Sequence, residues 1–218
     1  MNRLQVETMV LGAFEANCFI LHKHQGKAIV IDPGAQPELI IPFLEKAGLT
    51  PEIYLLTHGH MDHVSALADL HTAFPAPVAM HPDDRKWAFE AMNQMPPFYP
   101  PPLFPACGVD RSVQDAQTWS DAGITFTVVG TPGHTPGSVC FYFPVDNLLF
   151  SGDTLFAGSV GRTDLPGGNS RTLGLSLARL AKLPPKTLIF PGHGEATELD
   201  YELKHNFFMQ KFPPGGST

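Results

Sequence analysis

The chain has 218 residues, 43% of them hydrophobic, and a formal net charge of −7 at neutral pH. This length and apolar content suffice for one substantial core, so we expect a single domain over residues 1–212 and a loose C-terminal tail over residues 213–218. The acidic balance, without a block of lysine or arginine, argues against a nucleic-acid partner, because basic grooves supply most of that affinity.

The cysteines and the apolar runs indicate the cellular environment that we expect for the protein. The three cysteines are too few and too irregularly spaced for a disulfide framework. Cys18 and Cys140 lie in apolar, strand-like runs, so we expect them to be buried. The N-terminus lacks the pattern of a signal peptide, and no apolar run approaches the roughly 20 residues of a membrane span. We therefore expect a cytoplasmic location and no membrane partner.

The first half of the chain alternates strand and helix patterns. Residues 4–32 predict three strands. Pro37 begins a predicted helix, with apolar residues at helical spacing, that ends at Gly48. The next predicted elements are a strand at 53–56, a helix from about 63 to 74, a strand at 77–80 and a helix at 82–93.

A proline-rich segment from Met95 to Cys107 predicts no regular structure, because proline removes backbone donors and breaks helices. Three interpretations stay open. In the first, the segment is a surface excursion that covers apolar residues. In the second, it is a wall or lid over the active site, and this wall carries Phe98, Tyr99 and Phe104. In the third, it is a proline-rich ligand for a partner module.

The second half of the chain also alternates strands and helices. A helix at about 171–182 has Asn169 or Ser170 as its predicted N-cap. The other predicted elements are strands at 124–129, 138–143, 147–151 and 187–190, and a closing helix at about 198–210. This order is typical of an α/β protein.

Four candidate metal ligands follow the apolar run at residues 53–56. They are His58, His60, Asp62 and His63. Imidazole and carboxylate are ligands that zinc and iron prefer. Four ligands so close together in sequence cannot all bind one ion and still leave room for ligands from other parts of the chain. The spacing therefore indicates two adjacent metal ions.

Three later residues, His134, Asp153 and His193, are further candidate ligands. Each follows a strand-like run or lies in a turn rich in glycine and proline, and glycine lets the backbone approach a metal closely. A fortuitous surface chelator is the alternative interpretation. It is weakened because these ligands occur in the structural context that a metal motif requires.

The HxHxDH motif at residues 58–63, followed by His134, Asp153 and His193, resembles the metallo-β-lactamase superfamily over about residues 4–210. The resemblance implies a four-layer αββα sandwich of two mixed β-sheets flanked by helices. It also implies two metal ions bridged by Asp153. The implied ligands are His58, His60 and His134 for the first ion, and Asp62, His63 and His193 for the second.

A closer resemblance concerns residues 152–156, 161–164 and 191–194, which look like the short glyoxalase II-like branch, the hydroxyacylglutathione hydrolases. It implies hydrolysis of a small-molecule thioester such as S-lactoylglutathione by a hydroxide that bridges two divalent ions. Zinc is expected, with iron or manganese as alternatives. Asp62 or Asp153 is the candidate catalytic proton acceptor. The β-lactamases usually carry cysteine or serine at the position of Asp153, which argues against antibiotic hydrolysis.

The substrate-binding candidates are Arg162, Lys204 and Asn206. Arginine grips a carboxylate with two hydrogen bonds, although an ion pair with Asp164 is an equal alternative for Arg162. Departures from the larger glyoxalase II enzymes weaken glutathione specificity. Among them are Asp164 and Glu195, which replace aromatic residues.

Other functions stay open at this level. One is a mononuclear iron dioxygenase for glutathione persulfide, in which His58, His134 and Asp153 would hold the iron. The others are a hydrolase of another small ester or lactone, and a metal-bearing binding protein. Four further residues are candidates for orienting the ligands through hydrogen bonds, namely Asp32, Thr57, Thr131 and Thr135. The sequence does not determine the oligomeric state.

Overall fold

The computed structural model describes residues 3–23, 26–106 and 108–211. Its first sheet contains six strands in sequence order. The β1–β2 and β2–β3 pairs are antiparallel, and the later pairs are parallel, so this sheet is mixed. The strands β1 to β6 are Gln5–Leu11, Ala16–His22, Gly26–Ile31, Leu49–Leu55, Val78–Met80 and Arg111–Ser112.

The second sheet is also mixed and has the order β14-β13-β10-β9-β8-β7. Only β10 and β13 pair in parallel. Its strands, β7, β8, β9, β10, β13 and β14, are Thr118–Asp121, Ile124–Gly130, Val139–Phe143, Leu148–Gly152, Leu188–Pro191 and Thr197–Glu198. A small hairpin lies between β10 and β13 in sequence and comprises β11, Leu155–Phe156, and β12, Ser159–Val160.

Helices cover the outer face of each sheet. The helices α1 to α7 are Pro37–Ala47, Met61–Val64, Leu67–Ala73, Pro82–Arg85, Ser170–Leu180, Leu199–His205 and Phe207–Gln210. None of the helices in the described ranges is long and apolar enough to cross a membrane.

The alternation of side chains along each strand produces the four layers. In β3, Ile29 and Ile31 pack into a cluster with Phe126 and Phe141 of the second sheet. Val30 points the other way, into a cluster that contains residues of α1 and α3. A third cluster joins the second sheet to α5, α6 and α7. The predicted αββα sandwich is therefore confirmed.

Three predicted helices differ from the structure, and hydrogen bonds that compete with the helical backbone pattern explain each difference. The helix predicted at 82–93 ends at Arg85, and Asn93 donates to the carbonyl of Ala88, which a continuing helix would use. The helix predicted at 63–74 is divided into α2 and α3, because the amide of Ala66 donates to the carbonyl of Pro33. The helix predicted at 198–210 is divided at Asn206, whose side chain accepts from the amide of Phe208.

Several smaller predictions can also be compared. Asn169 is the N-cap of α5, as predicted, and Cys18 and Cys140 are buried. Burial raises the pKa of Cys140 to about 11, so its thiol stays protonated at neutral pH. The short strands β6, β7, β11, β12 and β14 were not predicted. The predicted tail at 213–218 and Cys107 lie outside the described residues.

Asn206 ties α6, α7 and the small hairpin together. Its amide group donates to the carbonyl of Ser159 and to the carboxylate of Glu202, at 3.0 and 2.8 Å. Glu202 is buried as well and also accepts from Thr197 and from the amide of Gly158. Because the side chains of Asn206 and Glu202 are both completely buried, Asn206 has a structural role and is not accessible for the substrate contact predicted for it.

We predict that Asn206→Ala lowers the free energy of unfolding by about 2–3 kcal/mol, because buried polar partners lose their hydrogen bonds. Urea denaturation of the metal-loaded protein measures the change. Gln210→Ala is the control, since this exposed side chain lies on α7, the short helix that begins after Asn206, and is expected to change the stability by less than about 0.5 kcal/mol. Equal stabilities for wild type and Asn206→Ala would refute the structural role.

Candidate metal centre

The loop after β4 carries four of the seven predicted metal ligands. His58 and His63 are almost completely buried, and Asp62 is 7% exposed. Met61, Asp62 and His63 already belong to α2, so the chain turns from strand to helix within the motif. This turn points several side chains of the motif toward one space at the carboxyl end of the first sheet.

The second sheet supplies the other three predicted ligands. His134 lies between β8 and β9, Asp153 directly follows β10, and His193 follows β13. Because β10 and β13 are parallel neighbours, their carboxyl ends lie at the same edge. The backbone of Ala16 in β2 also forms a bridge with His193, which joins the two sheets at this edge.

The ligand atoms form two groups. The atoms of His58, His60 and His134 all lie within 4.8 Å of one another, and the same holds for Asp62, His63 and His193. These groups match the two sets implied by the family resemblance. A third combination also meets this distance criterion and consists of Asp32, His58 and His63.

Asp153 lies between the two groups. Its Oδ1 is 3.4 Å from Nε2 of His63. Its Oδ2 is 3.5 Å from Nε2 of His134 and 3.6 Å from Nε2 of His193. One carboxylate thus faces imidazoles of both groups, which is the position that a ligand shared by two ions requires.

The donor atoms fit divalent cations. Nε2 of His58 and Oδ1 of Asp153 are buried and have no hydrogen-bond partner within the protein. Such groups are costly to bury unless something satisfies them. Burial, together with the neighbouring imidazoles, holds the pKa of His58 well below its usual range. Burial and His134 lower the pKa of His60 to about 3. Both imidazoles are therefore neutral at pH 7, which is the form that binds metal.

Four imidazoles of the centre are oriented by a hydrogen bond at Nδ1, which leaves Nε2 for a metal. The partners are Thr57 Oγ1 for His58, Asp32 Oδ2 for His63, the carbonyl of Arg162 for His134 and the carbonyl of Phe14 for His193, at 3.1, 3.1, 2.7 and 2.9 Å. His60 differs. Its Nδ1 faces Nε2 of His134 at 2.9 Å, so Nδ1 is the atom that His60 presents to the centre.

Asp32 and Thr57 occupy the orienting positions considered from the sequence. Asp32 accepts from both the amide and the hydroxyl of Thr57 and also contacts His63. Thr131 and Thr135 do not contact an imidazole in the described structure. Thr131 contacts Thr154 and Cys140, and Thr135 donates to Asp84.

Two buried residues that sequence reasoning missed hold the ligand loops in place. Asp84 accepts from the amides of Gly59 and Gly137, at 2.9 and 2.7 Å, and thereby links the loop of His58 to the loop of His134. Asn93 donates to the carbonyl of Gly59 and accepts from the amide of Met61. The sequence signal was weak, because an Asp in a first helical turn and an Asn after a helix usually serve as caps.

Two glycines allow the backbone to pass close to the ligands. A side chain at Gly192 would overlap Oδ1 of Asp153, and one at Gly161 would overlap the carbonyl of Asp153. Any larger residue at either position would displace the carboxylate that lies between the two groups. These glycines belong to the motifs that the sequence analysis singled out.

The predicted substrate-binding residues have different surroundings. Arg162 and Asp164 are exposed and form an ion pair with two hydrogen bonds of 2.7 Å, which was the alternative considered for Arg162. Lys204 pairs with Asp200 on the surface of α6. Asn206 is fully buried in the network described above. Of the three, Arg162 is joined most directly to the centre, because its carbonyl supports His134.

The proline-rich segment contacts the supports of the centre. Phe98 and Tyr99 pack against Phe14, with ring centroids 6.2 and 5.1 Å apart, and the carbonyl of Phe14 holds His193. These contacts favour the interpretation of this part of the segment as a wall beside the site. Phe104 packs against Phe89 instead, so it belongs to a different part of the surface.

With this fold and this set of ligands, the chain belongs to the metallo-beta-lactamase superfamily, whose family model matches residues 11–193. The probable metallo-hydrolase YqgX of Bacillus subtilis is 34% identical over 94% of this chain and 97% of its own length. The hydroxyacylglutathione hydrolase GloC of Haemophilus influenzae is 33% identical over 94% and 98%. The protein is therefore a member of a metallo-hydrolase family.

Solved structures share the whole fold. The B3 metallo-beta-lactamase BLEG-1 is 34% identical with a TM-score of 0.88, covering 94% of this chain and 99% of its own. TTHA1623, solved in a di-iron-bound form, is 39% identical with a TM-score of 0.82 over 93% and 100%. ETHE1 from Myxococcus xanthus is 25% identical with a TM-score of 0.76 over 93% and 83%. Together with the His and Asp groups, these matches support a divalent metal cofactor.

We predict that His58→Ala and Asp153→Ala each lower the metal content of the purified protein from about two ions per chain to about one or fewer, because each removes a donor from a buried site. Elemental analysis by mass spectrometry measures the content. His205→Ala and Asp69→Ala are matched controls at exposed helical positions and are expected to keep the wild-type content. Full metal occupancy in both test variants would contradict the proposed ligand sets.

Proposed function

We propose that this protein is a metal-dependent hydrolase of thioesters of the glyoxalase II type, with S-lactoylglutathione as the first substrate to test. The observation that carries the proposal is the position of Asp153 between two groups of imidazole and carboxylate ligands. The similarity to GloC over nearly the whole length of both chains supports the same reaction.

The seven ligands would hold two ions, zinc by preference, with iron or manganese as alternatives. When bound, such a pair of ions supplies a hydroxide nucleophile at neutral pH and polarises the substrate carbonyl. Within the protein, Asp32 and Thr57 fix the imidazoles of His58 and His63, so the ligands are oriented before substrate arrives. The deep burial of these groups keeps solvent away and strengthens their electrostatic effect.

Asp62 and Asp153 are the proposed proton acceptors. Burial raises the pKa of Asp62, but His63 and His193 lower it further, so the net pKa lies well below its usual range. The carboxylate is therefore ionised at neutral pH, which is the form required both of a metal ligand and of a proton acceptor. A thiolate is a stable leaving group, so the proposed reaction needs no strong general acid.

A second candidate, left open by the HxHxDH motif, is a mononuclear iron dioxygenase that acts on a persulfide. His58, His134 and Asp153 would hold its iron. The group of Asp62, His63 and His193 favours the hydrolase, since a mononuclear centre leaves these three donors without a metal. Hydrolysis of another small ester or a lactone is a third candidate with the same metal requirement.

We predict that the zinc-loaded protein releases thiol from S-lactoylglutathione, because a bound metal ion lowers the pKa of its water to about 7. Removal of the metal with a chelator is expected to lower the rate by at least about 10³-fold and zinc to restore it. A thiol-reactive dye measures the release. Parallel assays follow oxygen uptake with glutathione persulfide and cleavage of a β-lactam. If the protein holds one iron per chain, takes up oxygen and releases no thiol, the proposed function changes from a hydrolase to a dioxygenase.

We further predict that Arg162→Ala raises KM for an acidic thioester by about tenfold and lowers kcat by less than about threefold. The reason is that a guanidinium that binds the substrate carboxylate does so equally in the ground state and in the transition state. Steady-state kinetics separates the two constants. Lys186→Ala is the control, because this exposed lysine also pairs with a carboxylate, that of Glu198, on a strand away from the ligands. Equal falls in kcat and kcat/KM would show that Arg162 does not anchor the substrate.

A further inference from the structure

An apolar cavity lies directly beside the candidate metal centre. Its volume is about 580 Å³, and His60 and Met61 of the ligand loop form part of its lining. Most of the remaining lining is apolar and comes from three parts of the chain. These residues are Trp87, Met92, Met95, Pro136, Leu165 and Pro166. A cavity of this size holds a small organic molecule.

The contact between His60 and Trp87 connects the cavity to the centre. Their ring centroids are 5.3 Å apart at an interplanar angle of 56°. Pro136 follows His134 by two residues, so a second ligand loop also contributes to the wall. A group attached to a carbonyl at the centre can therefore extend along Trp87 without crossing protein.

Charge on the lining is already neutralised within the protein. Lys86 and Asp83 are the charged side chains of the lining, and they pair with each other at 2.6 Å. The amide of Asn93 is used by Gly59, Met61 and Ala88. Glutathione carries carboxylates and an ammonium group, and the cavity offers no unpaired charge among its lining residues to bind them.

We propose that the cavity binds an apolar group of the substrate, so that the enzyme prefers thioesters with a bulky apolar substituent next to the scissile bond. This inference rests on the proposed thioesterase function and names the class of substrate within it. Both the acyl side and the thiol side of a thioester could supply this group. Burial of apolar surface against Trp87 and Met92 favours either of them over a small polar substituent.

Two matched pairs of substrates test the proposal and distinguish the two sides. On the acyl side, S-mandeloylglutathione and S-lactoylglutathione differ only by phenyl in place of methyl. On the thiol side, the acetyl thioesters of benzyl mercaptan and mercaptoethanol differ in the apolar group of two thiols of similar acidity. We expect kcat/KM to be about tenfold or more higher for the aromatic member of one pair.

Substitutions of the lining locate the preference. Trp87→Ala and Met92→Asp are expected to reduce the ratio between the two members of that pair to below about threefold. Met92 is 71% exposed, so Met92→Asp tests the cavity even where Trp87→Ala does not fold. Leu103→Asp is the control, because Leu103 is similarly exposed at 69%, lies in the proline-rich segment that follows Met92 and is outside the lining. It is expected to keep the wild-type ratio.

The proposal is supported if one pair shows the preference and both lining variants reduce it. The pair that shows it then identifies the side of the thioester that the cavity binds. Equal kcat/KM values within both pairs, or a preference that neither variant changes, would overturn it. If no thioester is cleaved, the proposed function fails, and the cavity is tested by calorimetric titration with mandelate and lactate. Tighter binding of mandelate that Met92→Asp abolishes would still support an apolar site, and equal binding of the two acids would refute it.

Discussion

The structure depends on the burial of five imidazoles and two carboxylates at one edge of two facing sheets. Buried polar groups are costly unless they are paired, and the protein leaves two ligand atoms of this cluster without a hydrogen-bond partner. Nδ1 of His58, His63, His134 and His193 is satisfied by the protein, whereas Nε2 of His58 and Oδ1 of Asp153 are not. This half-satisfied arrangement gives the centre its affinity for cations, and the loops around it are shaped to maintain it.

The segment at residues 82–95 connects the geometry of the ligands to the surroundings of the substrate. Asp84 and Asn93 hold the backbone of the ligand loops, while Trp87, Met92 and Met95 line the apolar cavity. A change of packing in this segment therefore acts on both. The early end of the predicted helix at Arg85 makes this possible, because a continuous helix would not free Asn93 to reach Gly59.

The ligands and the cavity determine different aspects of function. The His and Asp groups restrict the chemistry to what divalent cations can do, and the chain shares its fold with BLEG-1, a B3 metallo-beta-lactamase, while its sequence is similar to that of GloC, a hydroxyacylglutathione hydrolase. A shared fold does not specify a substrate. The walls of the cavity come from loops and short helices rather than from the sheets, and they are the part of this molecule that we propose selects the substrate.

The sequence by itself indicated an α/β protein, most strand positions and the seven candidate ligands, because strand alternation and a dense His/Asp motif are local signals. The four layers were implied by the resemblance to the metallo-β-lactamase superfamily. Tertiary structure decided the rest. The residues that orient the ligands, such as Asp84, act on loops 25 and 53 positions away. The burial of Asn206 and the pairing of Arg162 with Asp164 likewise depend on packing. A cavity built from residues 60–61, 83–95 and 136–167 exists only after the chain has folded, since no local pattern records which distant loops meet.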